Sequence, residues 1–246
     1  MHSVSELGGA PGLIRRGGWA IHTAISIDVV EVIAFDLIGT LFSLEALVEA
    51  AKRFVDDAEG FVALWRSKQL EYAVLLSLMG RYEDFGKVTE RALRYAARRF
   101  GVALSDDAVK ALVGAWTRLR PYGDVPEVFP LLAERYTVVA VVNPHREMAE
   151  ALLANAGLRR YFARLYTSDL VGVYKPSPRV YLMVTELGVR PSDAVMVTAN
   201  PWDAAGAANA GLKAVYLNRS GLPEEELDPK PAAVVRDLRE LAAADL

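Results

Sequence analysis

The sequence predicts a doubly wound α/β domain, a parallel sheet covered by helices on both faces, with a helical cap inserted after the first strand. Two observations carry this prediction. Four short apolar runs, rich in β-branched residues, each end in a polar or small residue and lead into a helical stretch. Between the first and second runs lies a long segment whose apolar residues recur with helical spacing instead.

The runs are "VVEVIAFD" (29–36), "YTVVAVVN" (136–143), "DAVMVTAN" (193–200) and "KAVYLN" (213–218). Apolar on both faces, they suit the middle of a parallel sheet, and their alternation with helical stretches suits a doubly wound order. The intervening segment contains "FVALWRSKQLEYAVLLSLMG" and "VTERALRYAARRFG", with Gly80 and Gly101 placed as helix ends and Pro121 and Pro126 marking the return to the core. It is too long for a crossover and too helical for a loop. The expected division is a core domain of residues 29–43 and 135–246 and a helical cap domain of residues 44–134. Residues 1–28, Gly-rich and without a clear period, read as a disordered N-terminal extension or as residues upstream of the true start codon.

Composition removes several classes of function. The 246 residues carry a net charge of −3 with both signs mixed along the chain, which offers no footprint for nucleic acid. There is no cysteine and there are three scattered histidines, so neither a disulfide framework nor a zinc centre is expected. No apolar run reaches the roughly 18 residues of a membrane span, and the first residues lack a secretory pattern. A cytoplasmic protein without a membrane partner is expected.

In an open parallel sheet, ligands bind at the carboxyl ends of the strands. The residues at those ends are Asp36 and Thr40, then Asn143, then Thr198, Asn200 and Asp203 in "TANPWD", with Lys175 in the loop "GVYKPSPRVY". Singly, each has a plainer reading. Asp36 suits a turn before Gly39, Lys175 a solvated side chain, and Asp203 a helix start.

Taken in order, an Asp with a Thr after strand one, a helical insert, a strand ending in Asn, a Lys-Pro loop and a last acidic loop resemble the haloacid dehalogenase-like hydrolases. The resemblance implies a Rossmann-like core with an inserted cap and covers nearly the whole chain after Val30. Phosphatases of that superfamily carry a second Asp two residues after the nucleophile and an acidic magnesium ligand in the last loop. Ile38 and Ala199 stand at those places here. Two segments, "WRSKQLEYAVLLSLMGRYEDF" (65–85) and "TANPWDAAGA" (198–207), resemble the type II 2-haloacid dehalogenases more specifically. The first also reads as an amphipathic helix with Trp65 and Leu70 inward and Arg66 solvated.

The resemblance implies hydrolysis of short 2-haloalkanoic acids to 2-hydroxy acids and halide, through an ester on Asp36 and with no metal or other cofactor. A halide leaves as a stable anion, so no general acid is needed at Ile38. Asp203, with Asn200 and Lys175, would activate and place the hydrolytic water. Thr40, Thr198 and Tyr181 would orient the carboxylate and the lysine. Arg66 and Asn143 would cradle the halide, while backbone N–H groups near Leu37 and at Asn143 would hold the substrate carboxylate. Ile38, Leu70, Phe85 and Trp202 would wall off the reacting carbon. The chain departs from the family at Ile38, usually an aromatic, at Val142, usually a Ser that binds the substrate carboxylate, and in "NPHRE", where His145 reads as a helix-start residue. The alternatives are a phosphatase-like hydrolase on the same scaffold, or a non-catalytic protein that retains the fold. The apolar face of "YAVLLSLMG" suits either a homodimer contact or packing within the cap.

Overall fold

The computed structural model describes residues 32–244, so the expected N-terminal extension and the first residues of the first run lie outside the described residues. Strand β1 (Val32–Phe35) runs into the Asp36 loop. The chain then turns through Gly39, whose φ of +87° suits a residue without Cβ, into the short β2 (Phe42–Ser43).

Helices α1 (Glu45–Ala51), α2 (Ala58–Leu78), α3 (Phe85–Arg99) and α4 (Asp106–Ala115) follow as the inserted cap. Asp57, Asp84 and Ser105 cap the last three, each accepting a hydrogen bond from a free first-turn N–H. The chain returns through β3 (Arg120–Pro121), which pairs antiparallel with β2. Helix α5 (Val125–Arg135) falls inside the range expected for the cap, yet its Phe129 ring packs 4.9 Å from Phe35 of β1. It therefore covers the sheet, and the inserted helices end before it.

The core continues with β4 (Thr137–Val142), α6 (Arg146–Asn155), β5 (Arg164–Thr167), the short α7 (Pro178–Tyr181), β6 (Ala194–Thr198), α8 (Pro201–Asn209), β7 (Lys213–Leu217), β8 (Ala233–Val235) and α9 (Leu238–Ala243). Six strands form one parallel sheet in the order β5-β4-β1-β6-β7-β8. Its faces follow the period of two along each strand. Ile33 and Phe35 join the cluster that includes Phe129 and the cap, while Val32 and Ala34 join Val180, Tyr181, Ala204 and Ala207 of α7 and α8.

The expected α/β class with a helical insert is the observed one. The four predicted strands are the four inner ones, and β5 and β8, which the sequence did not signal, are the two edges. Strand order reverses at β1, between β4 and β6, and Asp36 lies at that reversal, where an open sheet leaves a crevice. Among the described residues no helix is long and apolar enough to cross a membrane.

Candidate active site

Asp36 leaves β1 nearly buried, 7% exposed, with its two oxygens held differently. Oδ2 accepts hydrogen bonds from the Thr40 hydroxyl at 2.9 Å and from Asn200 Nδ2 at 3.0 Å. Among the described residues Oδ1 has only the Lys175 ammonium, at 3.3 Å. The Thr40 hydroxyl itself accepts from the Ala199 N–H at 2.9 Å, which leaves its own proton for the carboxylate.

Lys175, 1% exposed, reaches across to Asp203, donating to Oδ2 at 2.8 Å. A buried ammonium costs several kcal/mol unless paired, and here it lies between two carboxylates. Burial raises the Asp203 carboxyl above the ordinary carboxylate range; Lys175 opposes the shift and the charge on Asp36 adds to it. The Tyr181 hydroxyl donates to Asp203 Oδ1 at 2.6 Å, and burial pushes this phenol well above its ordinary value, so it remains a donor. Pro178 at the first position of α7 sets the helix that delivers Tyr181.

The cap contributes Arg66 from the middle of α2. Its Nη1 donates to Gln69 Oε1 at 2.6 Å, three residues along the same face, and its guanidinium lies over the Trp116 ring at 5.7 Å. Gln69 is held in turn by its Nε2 donating to Thr89 Oγ1 at 2.6 Å. Burial draws the Arg66 guanidinium down to about 10 while the charges of Asp36 and Asp203 pull it up, so Arg66 is a cation at neutral pH that senses both carboxylates.

Asn143, at the end of β4, accepts at Oδ1 from the Lys175 backbone N–H at 2.9 Å and from the Ser168 hydroxyl at 3.1 Å. A cleft of about 340 Å³ opens here between α2 and the core, lined by Leu70, Val74, Leu75, Asn143, Lys175 and Trp202 among others. A larger groove of about 520 Å³ lies on the outer cap between α2 and α3; it shares Leu75 with the cleft but is lined by none of Asn143, Lys175 and Trp202.

The candidate residues thus come together, with differences in detail. Asp36, Thr40, Lys175, Tyr181, Asn200 and Asp203 form one hydrogen-bonded cluster. The Thr198 hydroxyl accepts from the Asn200 N–H at 3.1 Å and so braces the loop; among the described residues it makes no hydrogen bond to either carboxylate or to the lysine. Leu37, Ile38, Phe85 and Val142 are all buried in the apolar core. His145 starts α6 without capping it, and its Nδ1 stands 3.1 Å from Asp84 of the cap.

Ser168 and Tyr174 escaped the sequence reading. Tyr174, beside Lys175, ties the loop to the cap: its N–H donates to Ser77 Oγ at 2.9 Å, its hydroxyl donates to the Glu83 carbonyl, and its ring meets Tyr82 and Phe85. Arg219 was also missed; it donates to the Thr40 carbonyl at 3.0 Å and pairs with buried Asp124 at 2.9 Å. Only Gln69 had a signal in the sequence, its spacing of three from Arg66 within a helical pattern.

Comparison with known proteins agrees with this architecture. A family profile described as haloacid dehalogenase-like hydrolase matches residues 30–211. The (S)-2-haloacid dehalogenase of Pseudomonas sp. strain YL is 38% identical over 216 residues, which span 87% of this chain and 93% of that protein. The crystal structure of the L-2-haloacid dehalogenase RSc1362 superposes with a TM-score of 0.85 at 31% identity, covering 87% of this chain and 98% of that one. The L-2-haloacid dehalogenase from Xanthobacter autotrophicus with chloropropionic acid covalently bound gives a TM-score of 0.80 at 32% identity, covering 87% and 97%. The chain belongs to the haloacid dehalogenase-like hydrolases.

Proposed function

We propose that this protein hydrolyses the carbon–halogen bond of short 2-haloalkanoic acids, acting on the (S) enantiomer and giving the 2-hydroxy acid of inverted configuration. The observation that carries the proposal is the unequal holding of Asp36. Two donors fix Oδ2, and Oδ1, with only the longer lysine contact, is the oxygen free to attack.

In the first step Asp36 Oδ1 forms a bond to C2 of the substrate and the halide leaves with the bonding pair, so Asp36 becomes an ester. Arg66 and the Asn143 amide stabilise the negative charge growing on the halogen, and Leu70 and Trp202 keep bulk water from the reacting carbon. In the second step water attacks the Asp36 carbonyl carbon, Asp203 takes one of its protons, the ester C–O bond to Asp36 breaks, and that proton passes to the departing alkoxide; the water's other proton leaves Asp36 to solvent. The product keeps the oxygen that Asp36 supplied, and the water oxygen remains on Asp36. Lys175 and Tyr181 hold Asp203 for this step, and Asn200 and Thr40 hold Asp36.

The relatives named above support the substrate class, since their names are those of 2-haloacid dehalogenases and one carries covalently bound chloropropionic acid. The deciding experiment measures chloride release from (S)-2-chloropropanoate with and without a chelator, in the native protein and in Asp36→Asn. Chelator-insensitive release that vanishes in the variant is expected. Failure to release chloride, with magnesium-dependent release of phosphate from a phosphoester panel instead, would sink the reading.

We further propose a homodimer through the end of α2, where Leu75, Leu78 and Met79 are 43%, 80% and 61% exposed. Sedimentation of the native protein against Leu78→Glu tests it, a monomeric native protein being the contrary result.

A further inference from the structure

The side-chain amide of Asn143 has one end committed and one end free. Its Oδ1 accepts from the Lys175 N–H at 2.9 Å and from Ser168 Oγ at 3.1 Å. The backbone N–H can only donate, so the oxygen of the amide must face it and the NH₂ group must face away. Asn143 lines the cleft beside Lys175 and Trp202, and among the described residues no acceptor meets its Nδ2. The amide therefore presents a donor edge to the cleft, the polarity an anion requires.

Ser168 is what makes this orientation stiff. It is fully buried, at the step after β5, and Thr167 is the residue in register with Val142 of β4. Its hydroxyl lies 3.1 Å from both Asn143 Oδ1 and the Val142 carbonyl, so it touches the side chain of Asn143 and the backbone that carries it. One bond to the Lys175 N–H would fix only the sense of the amide. A second, from the residue that follows β5 and shares its one proton between Asn143 Oδ1 and the Val142 carbonyl, also fixes its plane. Position 142 itself, being Val, has no hydroxyl, and among the described residues the hydroxyl that bonds to Asn143 is that of Ser168.

We propose that Ser168 is a positioning residue that holds the Asn143 amide with its Nδ2 aimed at the departing halide. The assignment rests on the dehalogenase reading given above. It concerns displacement alone, since the amide acts on the departing halide and the ester step releases an alkoxide, with no halide.

The test is the ratio of kcat/KM for 2-bromopropanoate to that for 2-chloropropanoate, in the native protein, Ser168→Ala and Ser168→Cys. kcat/KM reports the steps up to halide departure, whichever later step limits turnover. Chloride is the poorer leaving group and depends more on a well-placed donor. Loss of that placement should raise the bromide-to-chloride ratio about fivefold, the scale of one neutral hydrogen bond. Cys keeps nearly the volume of Ser with a weaker donor, so it should shift the ratio in the same direction if the alanine protein is poorly folded. In an Asn143→Ala background, removing the Ser168 hydroxyl should change the ratio no further.

Variants that lower both rate constants equally and leave the ratio unchanged would show that Ser168 only supports the fold, and would overturn the assignment while the dehalogenase reading stood. A native protein that releases neither halide would overturn both.

Discussion

Gly206 packs so closely on Tyr181 that a Cβ at Gly206 would stand 2.6 Å from the Tyr181 hydroxyl and 2.7 Å from Pro176 Cβ. The small residue lets α8 approach the loop that carries Lys175, and that approach sets the 2.6 Å hydrogen bond from Tyr181 to Asp203. Gly206→Ala would normally favour a helix. Here it should lower turnover by about 10²-fold, the usual scale of an ångström-sized displacement in a site, and cost about 1–3 kcal/mol of stability through overpacking. Steady-state halide release and urea unfolding of the variant check both.

Asp203→Asn should separate the two chemical steps. The amide cannot take a proton from water, so displacement should proceed and the ester on Asp36 should accumulate. Mass spectrometry of the variant after mixing with substrate should find the added 1-carboxyalkyl mass on the peptide containing Asp36, with one equivalent of halide released per chain. Unmodified Asp36 alongside continued turnover would contradict the role.

The acid limb of activity should lie high. Burial raises the Asp203 carboxyl, and the second step needs it ionised, so turnover should decline at a pH above the ordinary carboxylate value of about 4. Stability has the opposite sign. The folded protein protonates Asp203 more readily than the unfolded chain does, so this group's contribution is fully present below the unfolded pKa and is lost as pH rises through the folded one. A pH profile of kcat, set beside urea midpoints over the same range, should show activity rising while this contribution falls.

Arg219→Met should act at a distance from the substrate. It removes the donor to the Thr40 carbonyl and leaves Asp124, 4% exposed, without its cation. An uncompensated buried carboxylate costs about 3–5 kcal/mol. Adding Asp124→Asn should recover much of that stability, because the buried charge is gone, but not the full activity, because the Thr40 loop stays unanchored. Denaturant melts and halide release of the single and double variants distinguish the two effects.

The inner strands were legible because each is apolar on both faces, and the candidate site residues were legible because they sit at the strand ends. Edge strands such as β5 and β8 lack that signature; β5 opens with an exposed Arg164, and Val234 of β8 is 40% exposed. Asp36, Lys175 and Asp203 were readable from their order along the chain. Of the residues that brace them, Thr40, Tyr181 and Asn200 were readable too, but Ser168 and Arg219 were not. Ser168 is a serine after a short run, and its partner Asn143 is 25 residues away. Arg219 meets Thr40 across 179 residues. Such contacts are made by the sheet order and have no local period to announce them. Thr198 shows the converse: its position was legible, but its single bond to Asn200 N–H depends on how the loop turns.

The pairing of β2 with β3 bears on the protein's modularity. Phe42 lies opposite Pro121 and Ser43 opposite Arg120, and the Tyr122 N–H donates to the Leu41 carbonyl at 2.9 Å. The chain therefore leaves the core and rejoins it through one two-stranded neck, with its ends about 5 Å apart. Everything beyond the neck is a guest on the scaffold. A helical bundle of another size, or a bare turn, can be grafted there without rerouting a strand of the sheet, so the cap is exchangeable while Asp36 keeps its place at the end of β1.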